Sequence, residues 1–504
     1  MLSVYDQGRF PPCPRPFNMT AHVLAAGLKS PDKDALLVVS PGSARNWSYA
    51  ELRSAVLGTA TGLLDYGLVP GDIVLMRLGN TVDFPIAYLA ALAAGLVPVP
   101  TSSALTETET AFLIRTVSPA VVLRDPDIAC PDFAHTIDLD TLRGFQSLPP
   151  APFHMDDPNR LGYIIFTSGT SAAPRAVAHA HRAIWARQMM FDDWYGLKRE
   201  DRVLHAGAFN WTYTMGTGLM DPWAIGATAV IPAPGVTAKQ IPTLLTEHET
   251  TIFASSPGAY RQILNHHTNL VLPHLRHGLS AGEKLPTATA ARWHAATGRA
   301  IYEAFGMSEC STFISQRPTE PPDASTLGRP QQGRRIAILK DGAPVPIGTE
   351  GTIAVDRHDP GLMLEYLNAP EATRARQCGD WFLTGDQAIM HADGTISYKG
   401  RDDDMMNAGG FRVSPLEVEA ALAGFPGISA VAAATVPVKE DVDVIAAFYT
   451  GPAALDERDL HTYVARTLAR YKQPRLYFHV PELPMGANGK ILRRVLRARF
   501  ERPQ

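Results

Sequence analysis

Residues 163–177, YIIFTSGTSAAPRAV, run from an apolar, strand-like stretch into Thr167, Ser168, Gly169, Thr170 and Ser171 before reaching Pro174 and Arg175. Hydroxyls, small residues and free backbone N–H groups gathered in one loop make a concave donor surface that suits phosphate oxygens. The loop is expected to cradle a triphosphate. It is not the GxxxxGK(S/T) phosphate loop, because no lysine and hydroxyl pair opens a helix at the required spacing. An ordinary Ser/Thr/Gly surface turn is the competing reading of this segment on its own. Residues 280–283 (SAGE) and 302–309 (YEAFGMSE) each follow a strand-like run, the end of an α/β sheet at which ligands gather. Asp386 in FLTGD offers a carboxylate of the kind that takes two ribose hydroxyls, although after Gly385 it also reads as a turn residue. Lys490 in PMGANGK is a long cation in a glycine-flanked turn; without that context it is one more lysine of a basic tail ending ILRRVLR.

The elements that must position these groups follow from periodicity. YAELRSAVLGTATGLLDYGL reads as helix, DIVLMRL as strand, FPIAYLAALAAG as helix and LVPVP as strand. Such alternation means parallel sheet covered by helices. It resumes after Pro158 and again over 277–309, with IYEAFG a buried strand running into a loop. Past Leu327 the texture changes to short strands and Gly/Pro turns, as in KDGAP, HADGT and EGTIAV. From about Asp404 the order is helix, strand, strand, helix and a basic tail. The fold class is therefore α/β: a large N-terminal domain of layered sheets over 1–402, its β-rich subdomain over about 328–402, and a small mobile α+β domain over 403–504. The three consecutive acids Asp402, Asp403 and Asp404 mark the join, or simply a solvated linker.

Composition narrows the class of function. At 504 residues the chain is too long for one compact core, and a net charge of −4 supplies no field to hold a polyanion, so nucleic acid is not an expected partner. The four cysteines (Cys13, Cys130, Cys310 and Cys378) are widely spaced without a CxxC pair, against both a disulfide framework and a zinc site. The most apolar stretch, 87–100, is broken by Gly95 and two prolines and is too short to span a bilayer. The first 16 residues lack the apolar core of a signal peptide. A soluble cytoplasmic protein without a membrane partner is expected, as a monomer or a homodimer. Cys310 has no activating His nearby in sequence, and His179, His181, His266 and His267 lack partners at metal-ligand spacing.

The ordered set TSGTSAAPR, SAGE, FGMSE, TGD, GRDDDMMNAGGFR and NGK resembles the adenylate-forming superfamily of acyl- and aryl-CoA synthetases, nonribosomal adenylation domains and luciferases, over essentially the whole chain. The resemblance implies an AMP-forming acid:CoA ligase using ATP, Mg2+ and coenzyme A on a small-molecule carboxylic acid. It implies that Thr167 to Ser171 and Arg175 hold the β- and γ-phosphates, with Ser308 supporting the α-phosphate. Glu309 becomes the magnesium ligand, since a hard dication bridging phosphates wants one carboxylate plus waters. Gly282, Glu283, Glu303, Ala304 and Phe305 form the adenine slot, and Asp386 takes the ribose hydroxyls with Arg401 and Tyr398. Lys490 contacts both the incoming carboxylate and the α-phosphate. Asp403 is the pivot of a rotating C-terminal domain that brings Gly409 and Gly410 to the path of the thiol, and Arg412 assists the nucleotide phosphates or the CoA end.

Two positions depart from the family pattern: Ala172 stands where glycine is usual and Arg175 where lysine is usual. Altered ATP affinity rather than lost function is expected from both. The acyl pocket implied by the resemblance comprises Phe209, Asn210, Trp211, Tyr213, Met215, residues 255–258, Ser280, Gly306 and Met307. Acetate-activating relatives place tryptophan at the position of Gly306, so glycine implies room for an aromatic or medium-sized acid. The aromatic residues over 209–213 suit a ring, or are core packing. Two alternatives remain: an adenylate-forming enzyme with a non-CoA acceptor, and a nucleotide-binding relative that has lost catalysis.

Overall fold

The computed structural model describes residues 1–167, 174–401, 406–408, 411–439, 442–466, 468, 470–486 and 491–500. Ser168, Gly169, Thr170, Ser171, Ala172, Asp403, Gly409, Gly410 and Lys490 lie outside the described residues. The chain divides into two units: a larger one of Tyr5–Ile336 and Val355–Phe382, and a smaller one of Met1–Val4, Ala337–Ala354 and Leu383–Gln504.

The alternating pattern of the first hundred residues becomes a parallel sheet in the larger unit. Strands Val97–Pro100, Ile73–Arg77, Val121–Arg124 and Thr136–Asp138 lie side by side in that order. Parallel strands joined by crossover helices are covered on their faces, which is why these runs are apolar throughout instead of alternating. Helix Tyr49–Asp65 starts at a capping box in which Ser48 and Glu51 satisfy each other's backbone N–H groups. Helix Asp83–Ala93 is apolar all round, and every one of its residues is buried.

A second sheet runs Arg329–Pro330, Ser311–Ser315, Ile301–Met307, His277–Ser280, Ile252–Ser255, Arg202–His205, Thr228–Pro232, Asp34–Ser40 and Ser43–Ser48. Its central pairings, from Ile301–Met307 to Asp34–Ser40, are parallel. The two carriers of sequence motifs, His277–Ser280 and Ile301–Met307, are neighbours in register, with Ser280 opposite Glu303. A third, antiparallel sheet sets Leu161–Thr167 against Arg175–Ala180, which in turn pairs with Glu365–Tyr366.

In the smaller unit, Glu350–Asp356 lies between Arg335–Lys340 and Trp381–Met390, and Trp381–Met390 pairs antiparallel with Ile396–Arg401. Beyond it, Ala430–Lys439, Val442–Thr450 and Leu476–His479 form a three-stranded sheet. Helix Pro415–Leu422 and helix Glu457–Val464 bury Val418, Leu422, Leu460 and Val464 in the same apolar cluster as Ile445 and Tyr449 of that sheet. The basic tail forms helix Arg493–Phe500, and strand Leu476–His479 has no counterpart in the sequence reading. The molecule is a mixed α/β protein, as the alternation and the later β-rich texture imply.

Candidate active site

Folding places Thr167 opposite Arg175 at the open end of a β-hairpin, so residues 168–173 are its connection. The third strand of that sheet adds a residue that no motif announces. Tyr366 pairs with Val177, its ring lies 5.3 Å from the Arg175 guanidinium carbon, and its hydroxyl donates to Glu309 Oε1 at 2.5 Å. Burial first, and then the Glu309 carboxylate, push the Tyr366 phenol up from its ordinary value, so it stays a donor. The Glu309 carbonyl accepts from Met363 N at 2.7 Å.

The turn that carries Met363 and Tyr366 is itself clipped. Asp359 is ion-paired with the fully buried Arg334 and accepts from Gly361 N, while Arg182 donates to the carbonyls of Pro360 and Leu362. Cys310 sits against Asp359 and Arg334, with its thiol pushed far up by burial, which leaves it an inert packing group.

Glu309 Oε2 has no partner among the described residues, and neither has the Ser308 hydroxyl. A half-buried carboxylate held through one oxygen by Tyr366, whose ring meets Arg175, fits a magnesium ion that keeps phosphate and water as its other ligands. The donor chemistry therefore matches Mg2+. Among the described residues no three His, Cys, Asp or Glu side chains form a metal cage.

The adenine-slot residues come together, with one change of role. Gly282 takes φ +96°, and a Cβ there would stand 3.0 Å from the Trp211 ring, so the SAGE loop lies directly on the indole. Ala304 is buried and Phe305 meets Phe313 edge to face at 5.5 Å. The Glu303 carboxylate, however, is already committed: it accepts from Lys284 Nζ at 2.5 Å and from Leu285 N at 2.8 Å. Burial raises its pKa, and Lys284 opposes that shift. Glu303 thus ties the SAGE loop to its neighbouring strand instead of presenting its carboxylate to a nucleotide. Glu283 is half-buried on that loop.

Within the smaller unit, Asp386 and Arg401 face each other in register. Asp386 Oδ1 accepts from Tyr398 OH at 2.8 Å, and Arg401 Nη1 lies 3.7 Å from Oδ2. Its backbone N–H donates to Thr384 Oγ1, the turn-like contact expected after Gly385. Arg412 pairs with Asn407 through the backbone.

The residues expected to form the acyl pocket are divided between a cavity and the core. A cavity of about 40 Å3 opens in the larger unit, bounded by Met307, Ser308, Thr212, Met215 and Met220 together with Tyr88, Tyr163, His179 and Arg187. Met307 and Met215, two of the residues expected around the acid, line this cavity. The rings of Phe209, Trp211 and Tyr213 are not part of this lining. Phe209 is core, stacked on Phe84 at 6.5 Å; Tyr213 packs on Trp194 and on His205; Trp211 lies under Gly282 and against Tyr213. Large apolar rings gain most by burial against other rings, and core packing claims them here. Asn210 is half-buried, and Ser280 is fully buried with its hydroxyl unpaired.

Gly306 also has a different cause. Its strand bulges between Phe305 and Gly306, and a Cβ would stand 2.1 Å from the Ser311 carbonyl of the paired strand. Close backbone approach requires glycine there, so the residue is no measure of room for substrate. Sequence reasoning missed Tyr88, Tyr163, Arg187 and Tyr366. The available signal was Arg187, a lone cation within the apolar run AIWARQMMF.

Comparison with known proteins agrees with this geometry. The model of the AMP-binding enzyme family matches residues 25–367, and that of the AMP-binding enzyme C-terminal domain matches residues 417–490. The chain is 30% identical to benzoate–CoA ligase of Thauera aromatica, over 99% of each chain. A crystal structure of a benzoate CoA ligase from Burkholderia xenovorans superposes with TM-score 0.85 at 26% identity, covering 95% of this chain and 100% of that one. An anthranilate CoA ligase in complex with anthranoyl-AMP has the same fold, with TM-score 0.88 at 24% identity over 97% of this chain and 98% of that one. With a matching model over most of its length, and with Tyr366 linking Arg175 of the hairpin to Glu309, the chain belongs to the AMP-binding enzyme family.

Proposed function

We propose that the chain is an ATP-dependent acid:CoA ligase acting on an aromatic or medium-sized carboxylic acid. The observation that supports it most is Glu309, one oxygen fixed by Tyr366 and the other open, beside the Arg175 end of the hydroxyl-rich hairpin. As a member of its family the enzyme uses ATP, Mg2+ and CoA. In the first half-reaction a carboxylate oxygen attacks the α-phosphorus and pyrophosphate leaves, giving an acyl-adenylate. In the second, the CoA sulfur attacks the acyl carbon, the thiol proton is lost and AMP departs.

Two anions must meet in the first step, so catalysis there is positioning and charge compensation. Arg175 and the Thr167 to Ser171 loop hold the β- and γ-phosphates, and Ser308 donates to the α-phosphate. Glu309 would hold Mg2+, which when bound would supply charge neutralisation to the polyphosphate. Asp386, braced by Tyr398, takes the ribose hydroxyls. Phe305 and the Gly282 loop flank the adenine. Lys490 is assigned to the attacking carboxylate and α-phosphate, Asp403 to the pivot near 402/403 between the proposed 1–402 and 403–504 domains, and Gly409 and Gly410 to the thiol path. No helix among the described residues is long and apolar enough to cross a membrane; a cytoplasmic location is part of the proposal.

The test is acid-dependent pyrophosphate release with and without CoA, across benzoates, phenylacetates, cinnamates and aliphatic acids. Thioester formation only with CoA supports the reading. Pyrophosphate release with transfer to another acceptor overturns CoA, and no release with any acid overturns the ligase. Lys490→Ala should abolish adenylation while leaving thioester formation from supplied acyl-adenylate largely intact; equal loss of both would overturn the lysine's assignment.

A further inference from the structure

The wall of the acyl cavity is polar in a way that an aromatic or aliphatic acid alone does not require. Tyr88 OH and Tyr163 OH have no hydrogen-bond partner among the described residues, although Tyr88 is only 2% exposed and both side chains line the cavity. Their rings meet edge to face at 6.2 Å, and Tyr163 stacks on His179 at 4.8 Å. His179 Nε2 donates to the Ser308 carbonyl at 2.8 Å, so Nδ1 is the acceptor of the neutral ring, and it is buried without a donor. Contacts thus step from Ser308, on the phosphate side, through His179 and Tyr163 to Tyr88. The buried His179 Nδ1 and the two phenol hydroxyls on the cavity wall are therefore candidates for a ligand's polar atoms.

Arg187 supplies the second half of the wall. Its guanidinium makes a two-pronged ion pair with Asp221, Nε to Oδ1 at 2.9 Å and Nη2 to Oδ2 at 2.6 Å, and Tyr195 OH donates to the same carboxylate at 2.7 Å. Nη1 gives one hydrogen to Ser311 Oγ at 2.5 Å and has a second without a partner among the described residues. A Cβ at Gly216 would stand 2.2 Å from Nη2, so this turn has glycine where the guanidinium passes. The pair is electrically neutral, and Asp221 is fully buried behind it. A second carboxylate entering the cavity would find its cation already compensated.

We propose that this cavity selects a monocarboxylic acid whose far end carries a neutral hydrogen-bonding group, a hydroxyl or an amine, read by Tyr163, Tyr88 and the spare Nη1 hydrogen of Arg187. The inference rests on the ligase reading and names its substrate class. Burial holds the Tyr163 phenol up at about 12, so its proton is available throughout the working range. Met215, Met220 and Met307 supply the remaining wall, and their unbranched side chains can re-pack around an acid larger than the present cavity.

The experiment is steady-state pyrophosphate release by the full chain with matched benzoates bearing hydroxyl, amino, methyl or a second carboxylate at the same position, and matched aliphatic acids bearing hydroxyl, methyl or a second carboxylate. The hydroxyl or amino member should exceed its methyl isostere by about tenfold or more in kcat/KM, and the dicarboxylate should be the poorest. Tyr163→Phe should bring the hydroxyl-to-methyl ratio towards one, mostly through KM. Tyr88→Phe is the second variant, chosen because it removes the other phenol hydroxyl and leaves the Arg187–Asp221 pair intact, and it should lower the same ratio. Equal or better use of methyl acids, preference for the dicarboxylate, or an unchanged ratio in both variants would overturn the inference while leaving a ligase. No turnover with any acid would remove the ligase reading, and the inference with it.

Discussion

Tyr366 shows how much of the setting of Glu309, the proposed magnesium ligand, comes from a neighbour that no motif contains. Glu309 was legible because FGMSE carries the family pattern, but the donor that fixes its Oε1 comes from 57 residues away, where a two-residue strand joins the hairpin. Hydrogen bonds to charged groups contribute roughly 1.5–3 kcal/mol. Tyr366→Phe should therefore raise the Mg2+ concentration needed for half-maximal adenylation by about tenfold, and pyrophosphate release titrated with Mg2+ at saturating acid measures it. A simple packing loss would lower thermal stability without shifting that titration. Glu309→Gln, which keeps shape but removes the charge, should reduce adenylation about 100-fold or more at every Mg2+ level. The commitment of Glu303 to Lys284 and Leu285 N was not legible, since it depends on how the loop folds back.

Among the elements, the hairpin of Ile301–Met307 and Ser311–Ser315 places the most chemistry in the least chain. Its bulge brings Gly306 within contact of the Ser311 carbonyl, and Ser311 takes φ +60°, a setting uncommon for a side-chain-bearing residue. The same turn presents Ser308 and Glu309 on one side and the Ser311 hydroxyl to Arg187 on the other. Gly306→Ala should destabilise the larger unit by about 1–3 kcal/mol, as overpacking does, and should depress adenylation because Ser308 and Glu309 move with the strand; denaturant unfolding and pyrophosphate release on the same sample separate the two effects. The strand itself was readable from IYEAFG. Its antiparallel partner and the bulge were not, because a bulge is decided by pairing rather than by the periodicity of one strand.

For the molecule as a whole, acid is the expected weakness. His205 and His181 are held down to about 3, and His22, His179 and His277 to about 4, in each case first by burial. These rings are neutral in the folded state and would take protons in the unfolded chain near pH 6.5. The unfolded state therefore binds more protons over the window from about 6.5 down to 3–4, and stability falls as pH falls through it. Urea midpoints between pH 7 and 5 should drop steadily, and His205→Gln should flatten that slope; a flat wild-type profile would contradict the buried neutral histidines. Gly409→Leu addresses the proposed thiol path: acyl-adenylate formation should persist while thioester formation from it falls, read as pyrophosphate release against acyl-CoA yield.

Local residue order by itself determined the phosphate-loop composition, the alternation that demands covered parallel sheet, and the six motifs whose order marks the family, because these depend on neighbours along the chain. Tertiary structure alone decided which aromatic rings are spent on the core, why residue 306 must be glycine, and that Tyr88, Tyr163 and Arg187 meet around one cavity. Those outcomes depend on distances between segments that are remote in sequence, and packing allots each side chain to the neighbour that buries or pairs it best.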